Sequence, residues 1–194
     1  MMRPIFFDLE TTGTDPKRDR IVEIAAFDST RNESFQQLIN PGIEIPDEAA
    51  RIHGITNPMV SSAPPFREVA EQFVAFCSGP VMLVAHNGEM FDLPFLEAEF
   101  RRHSVSFSLE WVFVDSLKWA RKYRRDLPRH ALQYLREFFG FPKNQAHRAL
   151  DDVETLHRVF SLLTDDLTCE QIIERIGCSK PEVQAQQECA LELF

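Results

Sequence analysis

Apolar and polar positions change period several times along the chain, and each change marks an element. "IFFDLE" (5–10), "IVEIAAFD" (21–28) and "SFQQLI" (34–39) are short, rich in β-branched and aromatic residues, and joined by brief connections, which predicts three strands in a meander. "DEAARIHG" predicts a short helix ended by glycine. In "SSAPPFREVAEQFVAFCSG" the apolar positions Phe66, Val69, Ala70, Phe73, Phe76 and Cys77 recur at spacings of three and four, as an amphipathic helix requires, and Gly79 stops it. "VMLVA" (81–85) is too short and too uniformly apolar for anything but a buried strand, one expected to run parallel to a neighbour. A helix is predicted from about Gly88 to Arg102, a strand near 107–114, and helices near 116–124, 130–139 and 149–164. The order βββαβαβααα predicts an α/β fold: a mixed central sheet flanked by helices on both faces.

Beyond Thr164 the pattern shifts. "TCEQIIERIG" and "SKPEVQAQQECALELF" each open with a capping-box pair, Thr168 with Gln171 and Ser179 with Glu182, which predicts two short helices. The expected organisation is one domain over 1–164 and a C-terminal helical tail over 165–194, a candidate for partner binding. No apolar run approaches the roughly 18 residues of a membrane span and no apolar leader opens the chain, so a soluble, cytoplasmic protein is expected. Cys77, Cys169, Cys178 and Cys189 are scattered without ligand spacing, which predicts reduced thiols and neither a zinc site nor a disulfide framework.

A net charge of −9 argues against sequence-indifferent adhesion to nucleic acid, although it leaves room for a small site whose metal ions supply the positive charge. The charge is uneven. Residues 118–129, "KWARKYRRDLPR", carry six basic groups against Asp126 alone, whereas 151–194 carry ten acidic groups against three basic. The basic stretch is a solvated face or a contact for phosphates.

Four carboxylates sit against this pattern. Asp8 and Glu10 end the first strand two residues apart and so share a face. Asp92 is followed by Phe95 and Leu96 at i+3 and i+4, on the apolar side of its helix. In "HRALDDVETLHRVF", Asp152 leads the stripe Leu156, Val159 and Leu163, while Asp151 belongs to a more polar face. Buried aspartates are costly unless paired or bound to metal. Four acids at strand ends and helix starts could meet that cost together around hard divalent cations, Mg²⁺ or Mn²⁺, which prefer oxygen ligands. His147, five residues before Asp152, is then the natural general base for a water.

These segments carry a resemblance. "FFDLETTG", "HNGEMFDLPFL" and "HRALDDV" resemble, in order, the three motifs of the DEDDh, or DnaQ-like, 3′→5′ exonucleases, over about residues 4–164. Arg148 stands where the tyrosine subclass would need Tyr, so the histidine subclass is implied. The segment "TTGTDPKRDRIVEIAAF" is similar to the branch of the proofreading ε subunit of DNA polymerase III, although "LPRHALQYL" lacks a glycine common there. The resemblance implies a ribonuclease H-like fold and a phosphodiesterase with two Mg²⁺ or Mn²⁺ ions held by Asp8, Glu10, Asp92 and Asp152, with His147 as base. It also implies a nucleotide pocket formed by Thr11, Thr12, Gly13, His53, Asn87 and Phe91; packing of a short helix is the alternative for His53 and core packing the alternative for Phe91. The expected substrate is a single-stranded or frayed 3′ end of DNA, with RNA as the alternative. Expected partners are the polymerase III catalytic subunit and, through Ala190–Phe194 ("ALELF"), a sliding clamp; the same residues also suit one stripe of a packed terminal helix. A non-catalytic polymerase- or clamp-binding module is the competing class.

Overall fold

In the computed structural model, which describes residues 2–142, 149–165 and 167–181, the early strands are β1 (Arg3–Thr11), β2 (Ile21–Asp28) and β3 (Glu33–Leu38). They pair antiparallel in sequence, the meander expected. β4 (Val81–Ala85) and β5 (Trp111–Asp115) extend the sheet beyond β1, both parallel, in the order β3-β2-β1-β4-β5. Parallel neighbours need long crossovers. Helix α3 (Phe66–Phe76) lies on the route into β4, and α4 (Asp92–His103) on the route from β4 to β5.

The period of two sorts the strands onto two apolar layers. Ile5, Phe7 and Leu9 of β1, Val81, Leu83 and Ala85 of β4, and Trp111 and Phe113 of β5 pack with Phe73 of α3 and Phe95, Leu96 and Phe100 of α4. The alternate residues Phe6, Met82, Val84, Val112 and Val114 pack on the opposite face. There they meet α5 (Ser116–Tyr123) through Trp119, α7 (Ala149–Thr164) through Val153, Leu156 and Phe160, and α8 (Cys169–Ile176) through Cys169 and Ile172. β4 is buried on both faces, which is why it reads as an unbroken apolar run. Each such side chain stabilises the fold by roughly 1.5–3 kcal/mol.

Some boundaries differ from the sequence reading for local reasons. α4 begins at Asp92, not Gly88, because Asn87 adopts a left-handed conformation (φ 66°) and the chain turns before Leu93 N–H bonds the Gly88 carbonyl at 2.8 Å. β5 begins four residues after the expected position, since Ser108 holds a turn by accepting from Glu110 N–H and Trp111 N–H. The one-turn helix α2 (Asn57–Val60) was not anticipated; Asn57 fixes it by accepting from Ile45 N–H and donating to the Ile45 carbonyl. α1 (Asp47–His53) ends at left-handed Gly54 as expected, and α6 (Leu132–Phe138) falls inside its predicted span.

The capping box of α8 forms, with Thr168 N–H bonding Gln171 Oε1 at 2.9 Å and Gln171 N–H bonding Thr168 Oγ at 3.3 Å. The helix from Ser179 falls largely outside the described residues; Ser179 itself makes a two-bond antiparallel bridge to Phe113 on edge strand β5. Among the described residues Cys77, Cys169 and Cys178 are free thiols, and no helix is long and apolar enough to cross a membrane.

Candidate active site

The site lies at the carboxyl ends of β1 and β4, the edge where open α/β sheets leave a crevice. Asp8 and Glu10 share the face covered by α7, whose first turn brings Asp152 over them. One oxygen from each of Asp8, Glu10 and Asp152 lies within 4.8 Å of the others. A bulge shapes this edge: Glu10 pairs with Glu23 but Thr11 with Ile21, so Val22 is the extra residue. Asp92 arrives from the other face, at the first turn of α4, where the helix dipole favours a carboxylate. It lines the same cavity of about 510 Å³ as the other three acids.

Proximity leaves an electrostatic signature. The Asp8 carboxyl is held well above the usual carboxylate range, by burial first and then by the charges of Asp92, Glu10, Asp152 and Glu23. Burial pushes the Asp92 carboxyl up to about 8; the Asp115 charge adds to this, while bonds from its own N–H and that of Leu9 oppose it. Asp92 Oδ1 is buried with no hydrogen-bond partner among the described residues. No Lys or Arg lines the cavity among those residues. An all-oxygen donor set, one orphaned carboxylate oxygen and no side-chain cation fit a hard divalent ion and do not resemble a Cys/His zinc site.

Several residues that hold these acids escaped the sequence reading. Glu23 is fully buried on β2, accepts from Gln36 Nε2 at 2.9 Å, and meets Ala149 N–H, the start of α7, at 3.4 Å. A charge inside "IVEIAAF" was the available signal. Asp115 caps α5 by accepting from Leu117 N–H and also accepts from Asn87 N–H, both at 2.9 Å, so it fixes the loop that delivers Asp92. "DS" before a helical pattern marked the cap but not the second bond. Gln133 of α6 donates to Asp152 Oδ1 at 2.8 Å and is itself held by buried Arg136, whose Nε bonds Gln133 Oε1 at 2.8 Å. Nothing in the sequence alone indicates that contact. Gln133→Ala removes the hydrogen bond from Gln133 to Asp152 Oδ1, and the expected cost is about 10-fold in the midpoint for Mn²⁺ activation. A titration of rate against Mn²⁺ checks this; an unmoved midpoint would remove Gln133 from the site.

The expected nucleotide-pocket residues all line the cavity. Thr12 and Gly13 are ordered by Asp19, whose carboxylate accepts from Thr12 Oγ1 and Asp15 N–H; a Cβ at Gly13 would fall 2.4 Å from Asp19 Oδ2, so a larger residue there would displace this carboxylate. Thr11 Oγ1 bonds the Gly13 carbonyl at 2.6 Å. His53 accepts from Ile55 N–H at its Nδ1, at 3.0 Å, which leaves Nε2 as the proton-bearing nitrogen. Phe91 does both jobs considered for it, lining the cavity and packing on Phe95 with ring centroids 4.9 Å apart. His147 and Ala190–Phe194 lie outside the described residues.

The family model described as "RNase_T: Exonuclease" matches residues 5–160. The chain belongs to the DnaQ-like exonuclease family. Among curated relatives, "Exonuclease DPD1, chloroplastic/mitochondrial" of Arabidopsis thaliana is 39% identical over 183 residues, covering 86% of this chain and 58% of that protein. "DNA polymerase III PolC-type" of Caldanaerobacter subterraneus is 32% identical over 166 residues, covering 84% of this chain and 12% of that protein. The chain thus spans little more than half of the first relative and a small part of the second. Escherichia coli exonuclease I in complex with a dT13 oligonucleotide matches with a TM-score of 0.74 at 20% identity, over 90% of this chain and 42% of that one. That likeness shows the fold: the family's ribonuclease H-like mixed sheet.

Proposed function

We propose that the chain is a divalent-metal-dependent 3′→5′ exonuclease of the histidine (DEDDh) subclass. It would release nucleoside 5′-monophosphates from single-stranded or frayed 3′ ends of DNA in replication proofreading or repair. The convergence of Asp8, Glu10 and Asp152 from β1 and α7 carries this reading, with Asp92 in the same cavity. In the overall reaction, water adds to the terminal phosphorus and the P–O3′ bond breaks, leaving a nucleoside 5′-monophosphate and a new 3′-hydroxyl. Two Mg²⁺ or Mn²⁺ ions, held by Asp8, Glu10, Asp92 and Asp152, would lower the pKa of the water and offset charge on the transition state.

The protein's own groups have separate tasks. His147 takes the water's proton. The Thr11–Thr12–Gly13 turn, locked by Asp19, offers backbone groups to the terminal sugar, and the Nε2–H of His53 is a fixed donor at the same cavity. Phe91 gives a ring against which the last nucleotide can rest. A paired end would first have to be unstacked, so a frayed end is the expected substrate. The oligonucleotide in the exonuclease I complex supports single-stranded DNA, and similarity to part of PolC supports association with a replicative polymerase.

A 5′-labelled DNA strand, its mismatched-primer form and the matching RNA, each with Mn²⁺, Mg²⁺ or EDTA, test the reading. A ladder of shortening labelled strands, absent in EDTA and with nucleoside 5′-monophosphate as co-product, is expected. Immediate release of label as a mononucleotide would reverse the polarity, and a large preference for the RNA would overturn the DNA assignment. Inertness with both metals would favour the binding-module class.

A further inference from the structure

A second cleft, of about 580 Å³, opens beside the acid cavity and shares His86 and Asn87 with it. Its chemistry is opposite. Arg121 of α5 and Arg129 and His130 of the following loop line it, and among the described residues no Asp or Glu does. Arg121 and Arg129 have no ion-pair partner among the described residues, unlike Arg124, which is taken up by Asp126 at 2.8 Å and by the rings of Phe138 and Phe139. In a chain of net charge −9 these are cations left facing a groove.

The groove is built and not simply a solvated charge run. Leu127 anchors the loop in a small apolar cluster with Ala120, Leu135 and Val159. His130 Nε2 donates to the Arg124 carbonyl at 2.9 Å, which closes the loop on itself. His86 then clasps it to the end of β4: its Nε2 donates to the His130 carbonyl at 2.9 Å while its Nδ1 accepts from Ser116 at 2.8 Å. A side chain at the junction of the two cavities therefore sets where Arg129 stands.

We infer that this cleft carries the phosphodiester backbone of the strand on the 5′ side of the terminal nucleotide, with Arg121 and Arg129 as its phosphate contacts. The inference rests on the exonuclease reading for the occupant of the acid cavity. A strand whose end sits among carboxylates must leave over a surface that does not repel it, and among the described residues this acid-free cleft is continuous with that cavity. Phosphate contacts of this kind contribute affinity without sequence preference, so they would govern grip on long strands and not which base is removed.

The test compares dT12 with the p-nitrophenyl ester of thymidine 5′-monophosphate, a substrate with no upstream phosphate, for wild type, Arg121→Gln, Arg129→Gln and the double variant. Arg67→Gln, an exposed cation on α3 paired with Glu71, is the control for general surface charge. The ratio of kcat/KM for dT12 over the aryl ester is expected to fall about 10-fold for each single variant. The slope of log Kd against log salt for dT12 should shrink by about 0.7 per arginine removed. Anisotropy of labelled dT12 in EDTA reads the cleft without turnover, so failure of hydrolysis in the wild type would sink the exonuclease reading and leave this measurement intact. A double variant that binds dT12 as wild type does, with its melting temperature retained, would overturn the inference.

Discussion

Asp8→Asn is expected to lower turnover with saturating Mn²⁺ by about three orders of magnitude or more, and at the same time to stabilise the metal-free protein. The loss follows because metal-assisted charge stabilisation is worth several kcal/mol, and each ~1.4 kcal/mol is tenfold in rate. The gain follows from the electrostatics. Asp8 is buried, and Asp92, Glu10, Asp152 and Glu23 all raise its carboxyl. Asparagine keeps the shape and removes the repulsion, so the melting temperature in EDTA should rise above wild type, increasingly so toward alkaline pH. An acid retained for structure behaves differently: its amide would lose stability along with activity. Single-turnover cleavage of a labelled strand and calorimetry in EDTA give the two numbers. A variant that still cleaves, or one less stable than wild type without metal, contradicts this assignment of Asp8.

How far the site was legible follows from the length scale of each signal. Strand pairing and the two layers were readable because they repeat: Phe6, Asp8 and Glu10 alternate with Ile5, Phe7 and Leu9, and the period alone sends them to opposite faces. The inward acids were readable because each contradicts its neighbours, as Asp152 does ahead of Leu156 and Val159. Glu23, Asp115 and Gln133 were not, because their meaning lies in partners distant along the chain: Ala149 for Glu23, Asn87 for Asp115 and Asp152 for Gln133. A cap before a helix looks the same whether or not its carboxylate also fixes an active-site loop. The α4 start was misplaced for a related reason. "HNGEM" suits a helix N-terminus, but the close approach of Gly88 to Ala85, where a Cβ would fall 2.5 Å from the Ala85 Cβ, spends those residues on a turn.

The metal-free protein is expected to lose stability as pH rises, and a divalent ion to restore it. Asp92 carries the sign. Its folded-state carboxyl is raised from 3.8 to about 8, so the neutral form is favoured in the fold. The stability this contributes is complete below about pH 3.8 and is lost as pH climbs through about 8. Melting temperatures in EDTA should therefore fall between pH 6 and 9, and the fall should be smaller in Asp92→Asn, which also removes the Asp92 charge that raises the Asp8 carboxyl. Cations compete with protons for the same oxygens, so Mn²⁺ or Mg²⁺ should raise the melting temperature more at pH 8.5 than at pH 6. At 100 times its Kd an ion adds about 2.7 kcal/mol, roughly 5–10 °C for a domain of this size. A structural cluster that stays protonated would show the pH slope without the metal response. Four acids arranged for divalent cations must show both, and in Asp92→Asn the two must weaken together.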